Sequence, residues 1–256
     1  MATSNGANGE SKPDALEFRP SKFWKEQDFQ SSARLHMQHW IWLYTLGYNL
    51  DPKIDVSKDD PIRIADIACC NGAWILDVHQ EYPNATINGF DLTPAHFPAA
   101  GWLSPDISFH AWDVFTEVPD QYVGVFDVVH VRALSSAILD NKVEPVLDNL
   151  LKMLKPGGYI QWDEGDSSAT RADVPSNNPK LQSVATTALV HFFHRSQQAA
   201  AHMSPEWLYT LPKTLQSRGC EVLIEQWLPA KGELQRAWCD NFLTVWHGED
   251  VEGVVL

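Results

Sequence analysis

Apolar positions along the chain fall into two alternating rhythms. Short apolar runs that close on turn-forming residues occur at IRIADIA (62–68), ATINGFD (85–91), DISFHAWDV (106–114), VFDVVHVR (125–132), YIQWDE (159–164) and CEVLIEQWL (220–228). Each has the length and composition of a strand. Between them, AWILDVHQEYP reads as a helix stopped by Pro83, VEPVLDNLLKMLKPGG as a helix with a glycine stop, and PEWLYTLPKTLQSRG as a third. Upstream, SARLHMQHWIWLYTLGY (32–48) places Leu35, His39, Trp42 and Leu46 at helical spacing and predicts an amphipathic helix ending near Gly47. ELQRAWCDNFLTVW predicts a last helix.

Strands alternating with helices imply βαβ units, hence a parallel sheet with right-handed crossovers. The expected fold class is α/β, a doubly wound, mostly parallel, Rossmann-like sheet. A single domain spans 18–256, with a helical N-terminal lid over 18–60 and a helical insertion over 168–204 after the fifth strand. Residues 1–17 are rich in Ser, Asn, Gly and Glu and predict disorder.

Composition narrows the function. Lys plus Arg number 19 against 33 Asp plus Glu, a net charge of −14. That field repels a phosphate backbone, which argues against DNA or RNA as partner. No apolar run reaches the ~18 residues that cross a bilayer, and the N-terminus lacks the basic and apolar regions of a signal peptide. The four cysteines form no C-x-x-C pair, which fits reduced thiols in a cytoplasmic protein. Eleven tryptophans and a 44% hydrophobic content serve a core and also suit a pocket for flat, apolar small molecules.

In such a sheet, ligands bind beyond the carboxyl ends of strands where strand order reverses. The first strand runs into Asp66-Ile67-Ala68-Cys69-Cys70-Asn71-Gly72. The second ends on Asp91, whose two acceptor oxygens suit both hydroxyls of a ribose, or which merely caps the next turn. Trp112-Asp113 after the third suits an adenine edge, or is a solvent-facing loop acid. His130-Val131-Arg132 ends the fourth and Asp163-Glu164 the fifth. Adjacent Cys69-Cys70 suggests a metal or redox pair, but no ligand set completes a zinc site. Small buried side chains filling the loop is the better reading, and no metal is expected.

The ordered set IADIACCNGAWILDV, INGFDLTPAHFP, FHAWDVF, FDVVHVRALSSAI and LKPGGYIQWDE resembles the motifs of class I S-adenosylmethionine-dependent methyltransferases, and more narrowly a fungal family that modifies secondary metabolites. The upstream ARLHMQHW segment matches too, so the likeness covers about residues 18–246. The resemblance implies S-adenosylmethionine as cofactor. It implies contacts to it from Asp66, Gly72, Asp91, Asp113 and His130, with Ala68, Cys70, Leu92, Trp112, Val114 and Val131 beside them. Members of the family read roughly D-x-G-x-G-x-G after the first strand; here Ala68 and Cys70 replace two glycines and only Gly72 remains. A non-glycine residue forced into the left-handed region costs about 1–2 kcal/mol. Asn71, which tolerates that region, is expected to relieve the loop in part. The pocket is therefore expected to hold its cofactor somewhat weakly.

His130 is the candidate general base, with a positioned histidine as the rival role; Asp163 and Glu164 are candidates to hold the acceptor. Arg132 is expected in a structural ion pair. His191, Phe193 and His194 in the insertion, with Trp24 and Trp40 on the N-terminal side, are expected to wall an aromatic or polycyclic acceptor, although packing alone also explains such residues. The expected activity is methyl transfer to O, N or S of a small molecule. The rivals are a methyltransferase-like protein that catalyses a cyclisation, pericyclic or isomerisation reaction instead, and a non-catalytic regulatory binding protein. A last strand too short to convince after the final helix makes homodimer formation through an open sheet edge plausible.

Overall fold

The computed structural model describes residues 29–166, 179–180 and 205–247. In chain order the elements are α1 (Phe29–Leu46), β1 (Arg63–Ile67), α2 (Ala73–Glu81), β2 (Thr86–Asp91), β3 (Ile107–Ala111), β4 (Phe126–Arg132), α3 (Glu144–Met153), β5 (Leu154–Asp163), α4 (Glu206–Ser217) and α5 (Gln235–His247). The five strands run parallel in the order β3-β2-β1-β4-β5. The chain therefore winds outward from β1 to one edge, then restarts on its other side at β4. That reversal opens a crevice beyond the carboxyl ends of β1 and β4.

Side chains alternate across the strands and divide the core in two. On one face Trp74, Ile75 and Val78 of α2 pack on Ile64, Ile87, Ile107 and Val128. On the other, Val146, Leu150 and Met153 of α3, with Trp207 and Leu208 of α4, cover Ala65, Ile67, Phe90, Phe126, Val129 and Val131. Helix α1 lies at the crevice end, packed on α5 through an edge-to-face contact of Trp42 with Trp238, ring centroids 5.8 Å apart. Among the described residues no helix is long and apolar enough to cross a membrane.

Two sequence expectations change. β5 begins at Leu154, taking in the LKPGG stretch assigned to a helix end, because α3 stops at Met153 and the chain enters the sheet at once. A register shift between Phe126 and Val128 absorbs the irregular start. The expected sixth strand, 220–228, is not a strand. Val222 and Ile224 do turn inward and Leu223 outward, so the alternation is real, but no ladder partner exists among the described residues. Its polar contacts are instead to side chains: Lys53 Nζ donates to the Leu223 carbonyl (3.3 Å) and Gln226 Nε2 to the Tyr48 hydroxyl (2.9 Å). Trp227 stacks on Tyr209 at 5.0 Å and stays half exposed.

The backbone of β2 approaches α2 closely at Gly89. A Cβ there would stand 2.6 Å from Ile75 Cδ1 and 2.9 Å from both Cys69 Sγ and Phe109 Cδ1. Gly89→Ala should therefore overpack this layer and lower stability by about 1–3 kcal/mol. Urea unfolding would show a lower midpoint with an unchanged slope.

Candidate functional site

The β1–α2 loop carries the most unusual backbone in the chain. Ala68 (φ 58°), Cys70 (φ 50°) and Gly72 (φ 73°) are all left-handed. These are the alternate positions where the resembled family has glycine, and the loop keeps the glycine shape with two side chains in place. At Gly72 the constraint is double, since a Cβ would also collide with the Phe109 ring. Asn71 does not adopt the left-handed conformation it was expected to relieve. Its side chain instead ties the loop: Oδ1 accepts from the Ala73 amide (3.2 Å), while Nδ2 reaches His36 Nδ1 (2.8 Å) and donates to the Ser32 carbonyl (3.3 Å) on α1.

Asp91 performs the turn-capping role and also reaches across to the loop. Oδ1 accepts from the Thr93 amide (3.1 Å) and Oδ2 from the Cys70 amide (2.9 Å). Each oxygen retains a further lone pair. Burial raises its pKa, against the lowering effect of those two amides. Cys69 is buried; burial first, then the charges of Asp66 and Asp91, push its thiol well up. Cys70 rises for the same causes, led by burial, with Arg34 opposing. Both are held as neutral thiols, unsuited to metal binding or redox attack. Among the described residues no cluster of His, Cys, Asp and Glu is arranged to hold a metal.

Beneath the loop, register aligns a polar row on the α2 side of the sheet. Asp66 stands opposite His130, and His130 opposite Gln161. His130 Nδ1 lies 2.7 Å from Asp66 Oδ1 and Nε2 3.4 Å from Asp163 Oδ2. Trp74 stacks flat on the imidazole, centroids 3.7 Å apart with planes 4° from parallel. His130 is 1% exposed and Asp66 3%. Both ring nitrogens thus face buried carboxylates and one ring face lies under an indole, an arrangement that suits the rival role of a positioned histidine. Asp66 is buried beneath the crevice with His130 as its hydrogen-bond partner.

Asp163 collects this row. It accepts from Arg132 NH2 (3.0 Å) and Gln161 Nε2 (3.0 Å). Burial alone would raise its pKa; the hydrogen bond and charge of His130, the charge of Arg132 and the Gln161 bond outweigh that and hold it at about 2. Arg132 thus forms the expected structural ion pair. It continues the row to α1, its guanidinium over the Trp42 ring (5.5 Å) and NH1 3.4 Å from His39 Nδ1. His39 Nε2 then meets Asp77 of α2 at 2.8 Å. Sequence reasoning placed His39 only on an apolar helix face and did not single out Asp77, Trp74 or Gln161. The i, i+4 and i+7 spacing of Ser32, His36 and His39 was the available sign that one side of α1 is a polar docking face.

Glu164 follows a different course. Its Oε1 accepts from the Leu134 amide (2.7 Å) and Trp162 Nε1 (3.0 Å), while Oε2 is buried without a hydrogen-bond partner among the described residues. Burial lifts its pKa to about 7, against bonds from Trp162, Leu134, Ser135 and Gly165.

The remaining candidates separate. Leu92 is 59% exposed beside Asp91. Trp112 is anchored through Nε1 to the Glu117 carbonyl (3.2 Å), and Asp113 caps its own turn at Phe115 (3.0 Å). Val114 and Val131 point into the core, so only their backbone is available to a ligand. Trp40 is half exposed on α1, stacked toward Tyr44. Trp24, His191, Phe193 and His194 lie outside the described residues.

Two consequences follow from this geometry. Ala68→Gly and Cys70→Gly should each relieve left-handed strain of about 1–2 kcal/mol, partly offset by the freer unfolded chain, and raise the urea midpoint. For Asp163 the folded pKa of about 2 lies below its ordinary 3.8, so its contribution is present in full above about pH 4 and lost as pH falls toward 2. The stability advantage of the natural protein over Asp163→Asn should shrink across that interval in acid titrations of unfolding.

Comparison with known proteins agrees with the fold. Residues 64–158 match the family model described as a methyltransferase domain. The chain is 35% identical over 156 residues to methyltransferase grgD of a Penicillium species, covering 57% of this chain and 53% of that one. It is 32% identical over 133 residues to N-methyltransferase verN of Clonostachys rogersoniana, covering 51% and 46%. The chain thus spans about half the length of these curated relatives. Among solved structures, phosphoethanolamine N-methyltransferase 2 of Haemonchus contortus, in complex with S-adenosyl-L-methionine, superposes with a TM-score of 0.54 at 12% identity, covering 90% of this chain and 50% of that one. This chain has the class I S-adenosylmethionine-dependent methyltransferase fold and is similar over about half of its length to fungal methyltransferases.

Proposed function

We propose that the protein transfers a methyl group from S-adenosylmethionine to a small, aromatic or polycyclic secondary metabolite. The observation that carries this reading is Asp91 at the end of β2, bonded to the Cys70 amide of a loop whose alternate residues are left-handed. That loop has the backbone shape a glycine run would take, so peptide groups rather than side chains border the crevice. The residues present fit the cofactor. Asp91 would hold the ribose hydroxyls with its free lone pairs, exposed Leu92 would cover one face of the adenine, and the Asp113 turn would lie at its edge. The loop backbone from Ala68 to Gly72 would border the methionyl end.

When bound, the cofactor supplies an electrophilic methyl on a sulfonium that leaves as a neutral thioether. The protein's part is orientation, which provides much of the rate of an in-line displacement. The buried Asp66–His130–Asp163 row keeps the ends of β1, β4 and β5 in fixed relation for that purpose. Retention of the left-handed loop despite Ala68 and Cys70 supports methyl transfer over a rearrangement or a purely regulatory role. Nitrogen is the proposed acceptor atom, since verN is named an N-methyltransferase.

The test is calorimetry with S-adenosylhomocysteine and S-adenosylmethionine. Binding to the natural protein and at least a tenfold loss in Asp91→Asn are expected, about 1.4 kcal/mol or more. Equal affinity in the two proteins would overturn the role of Asp91. Absence of heat in both would overturn the methyltransferase reading.

A further inference from the structure

Glu164 is the one strongly perturbed carboxyl in the described crevice that the positioning row does not use. It sits just past the end of β5, beside the post-β4 loop whose Leu134 amide it accepts. The Leu134 amide and Trp162 Nε1 bond to Oε1, and Ser135 and Gly165 stand close enough to lower the pKa further. Oε2 is buried with no partner, and among the described residues no Lys, Arg or His pairs with it. Among the described residues the acids near it have partners of their own. Asp163 is held by His130, Arg132 and Gln161; Asp166 accepts from the Tyr209 hydroxyl; Glu206 accepts from Asn141 Nδ2. The indole of Trp162 donates to Oε1 and is itself packed against that of buried Trp207, their rings 5.3 Å apart at 54°. A buried anion lacking a cation, next to aromatic faces, is a seat for an organic cation, which gains from the charge and from the ring quadrupoles together.

We infer that Glu164 and the Trp162–Trp207 pair form the acceptor subsite for a protonated amine on an aromatic framework, and that Glu164 takes the amine's proton. This rests on the methyl-transfer reading above. The ammonium pairs with the ionised carboxylate, and one N–H proton passes to Oε2. The freed nitrogen lone pair forms the new N–C bond as the sulfonium's C–S pair returns to sulfur. A carboxyl that titrates near neutral pH is suited to hold that proton and release it to water afterwards. An alcohol or thiol acceptor of the same shape lacks the positive charge that Oε2 would pair.

The probes are phenethylamine and its neutral isostere 2-phenylethanol, titrated calorimetrically into the full chain with S-adenosylhomocysteine present. At pH 8 the amine should bind at least fivefold tighter than the alcohol. Glu164→Gln should reduce that preference to less than twofold, and Glu164→Asp should retain part of it. Because ionisation of Glu164 runs through about pH 7, the preference should shrink as pH is lowered from 8 to 6. Equal binding of amine and alcohol, no binding of either, or an undiminished preference in Glu164→Gln overturns the inference. S-adenosylhomocysteine binding in the same samples reports folding of each variant and separates the two claims. If it persists while the amine preference fails, the acceptor assignment alone falls; if it is absent in the natural protein, the methyltransferase reading falls.

Discussion

A buried polar row across three neighbouring strands organises everything around the crevice. Asp66 of β1 and His130 of β4 stand in register and Asp163 ends β5 opposite Arg132, and each would be costly where it lies if left alone. Desolvation costs several kcal/mol per ion, and only close pairing offsets it. The 2.7 Å contact of His130 with Asp66, the 3.0 Å contact of Arg132 with Asp163, and Trp74 laid flat over the imidazole provide that offset. Because the row is satisfied only when three strand ends are in place together, it couples them. The same groups extend the coupling outward. Gln161 accepts from the Asp51 amide and donates to the Asn49 carbonyl, and Arg132 reaches α1 through Trp42 and His39. The helix over the crevice is thus tied to the sheet beneath it by charge rather than by apolar contact alone.

Above this rigid floor the loop is strained. Two non-glycine residues held left-handed store energy that other contacts must repay. The compensations are visible: the Cys70 amide has a carboxylate acceptor in Asp91, the Cys69 amide bonds to the Phe90 carbonyl at 3.0 Å, and Asn71 links the loop to α1. The open space that Gly89 leaves beneath Cys69 Sγ takes up the buried thiol. Ala68 and Cys70 are therefore held left-handed by the contacts that surround the loop.

Much of this was legible from the residues. Apolar runs set five strands, and turn residues placed their polar ends together, because local pattern and buried face agree there. The glycine pattern of the resembled family marked Ala68, Cys70 and Gly72 as the positions where the backbone is constrained. The segment 220–228 misled because alternation reports which side chains turn inward, not whether a neighbouring backbone completes a ladder. The surroundings of His130 were not legible in the sequence. A histidine at a strand end in a ligand crevice suggests a base, but its commitments depend on Asp66 and Asp163, 64 and 33 positions away in the chain. Asn71 was noticed for its backbone tolerance, yet acts through its side chain on a helix some 35 positions upstream. Long-range pairing of polar groups leaves no period to read.

Asp163 and Glu164 show how finely the strand end sorts chemistry. They are adjacent, both acidic, both largely removed from water, and burial acts on each as the leading influence. Consecutive side chains at the end of a strand turn to opposite faces of the sheet. Asp163 turns toward the polar row, meets His130, Arg132 and Gln161, and is held at about 2. Glu164 turns toward the apolar layer of Trp162, Trp207 and Leu134, meets only neutral donors, and is lifted to about 7. A carboxylate fixed as an anion cannot exchange a proton at neutral pH, and one poised there can. The pleat of β5 alone is enough to make one acid a structural anchor and its neighbour a candidate for proton transfer.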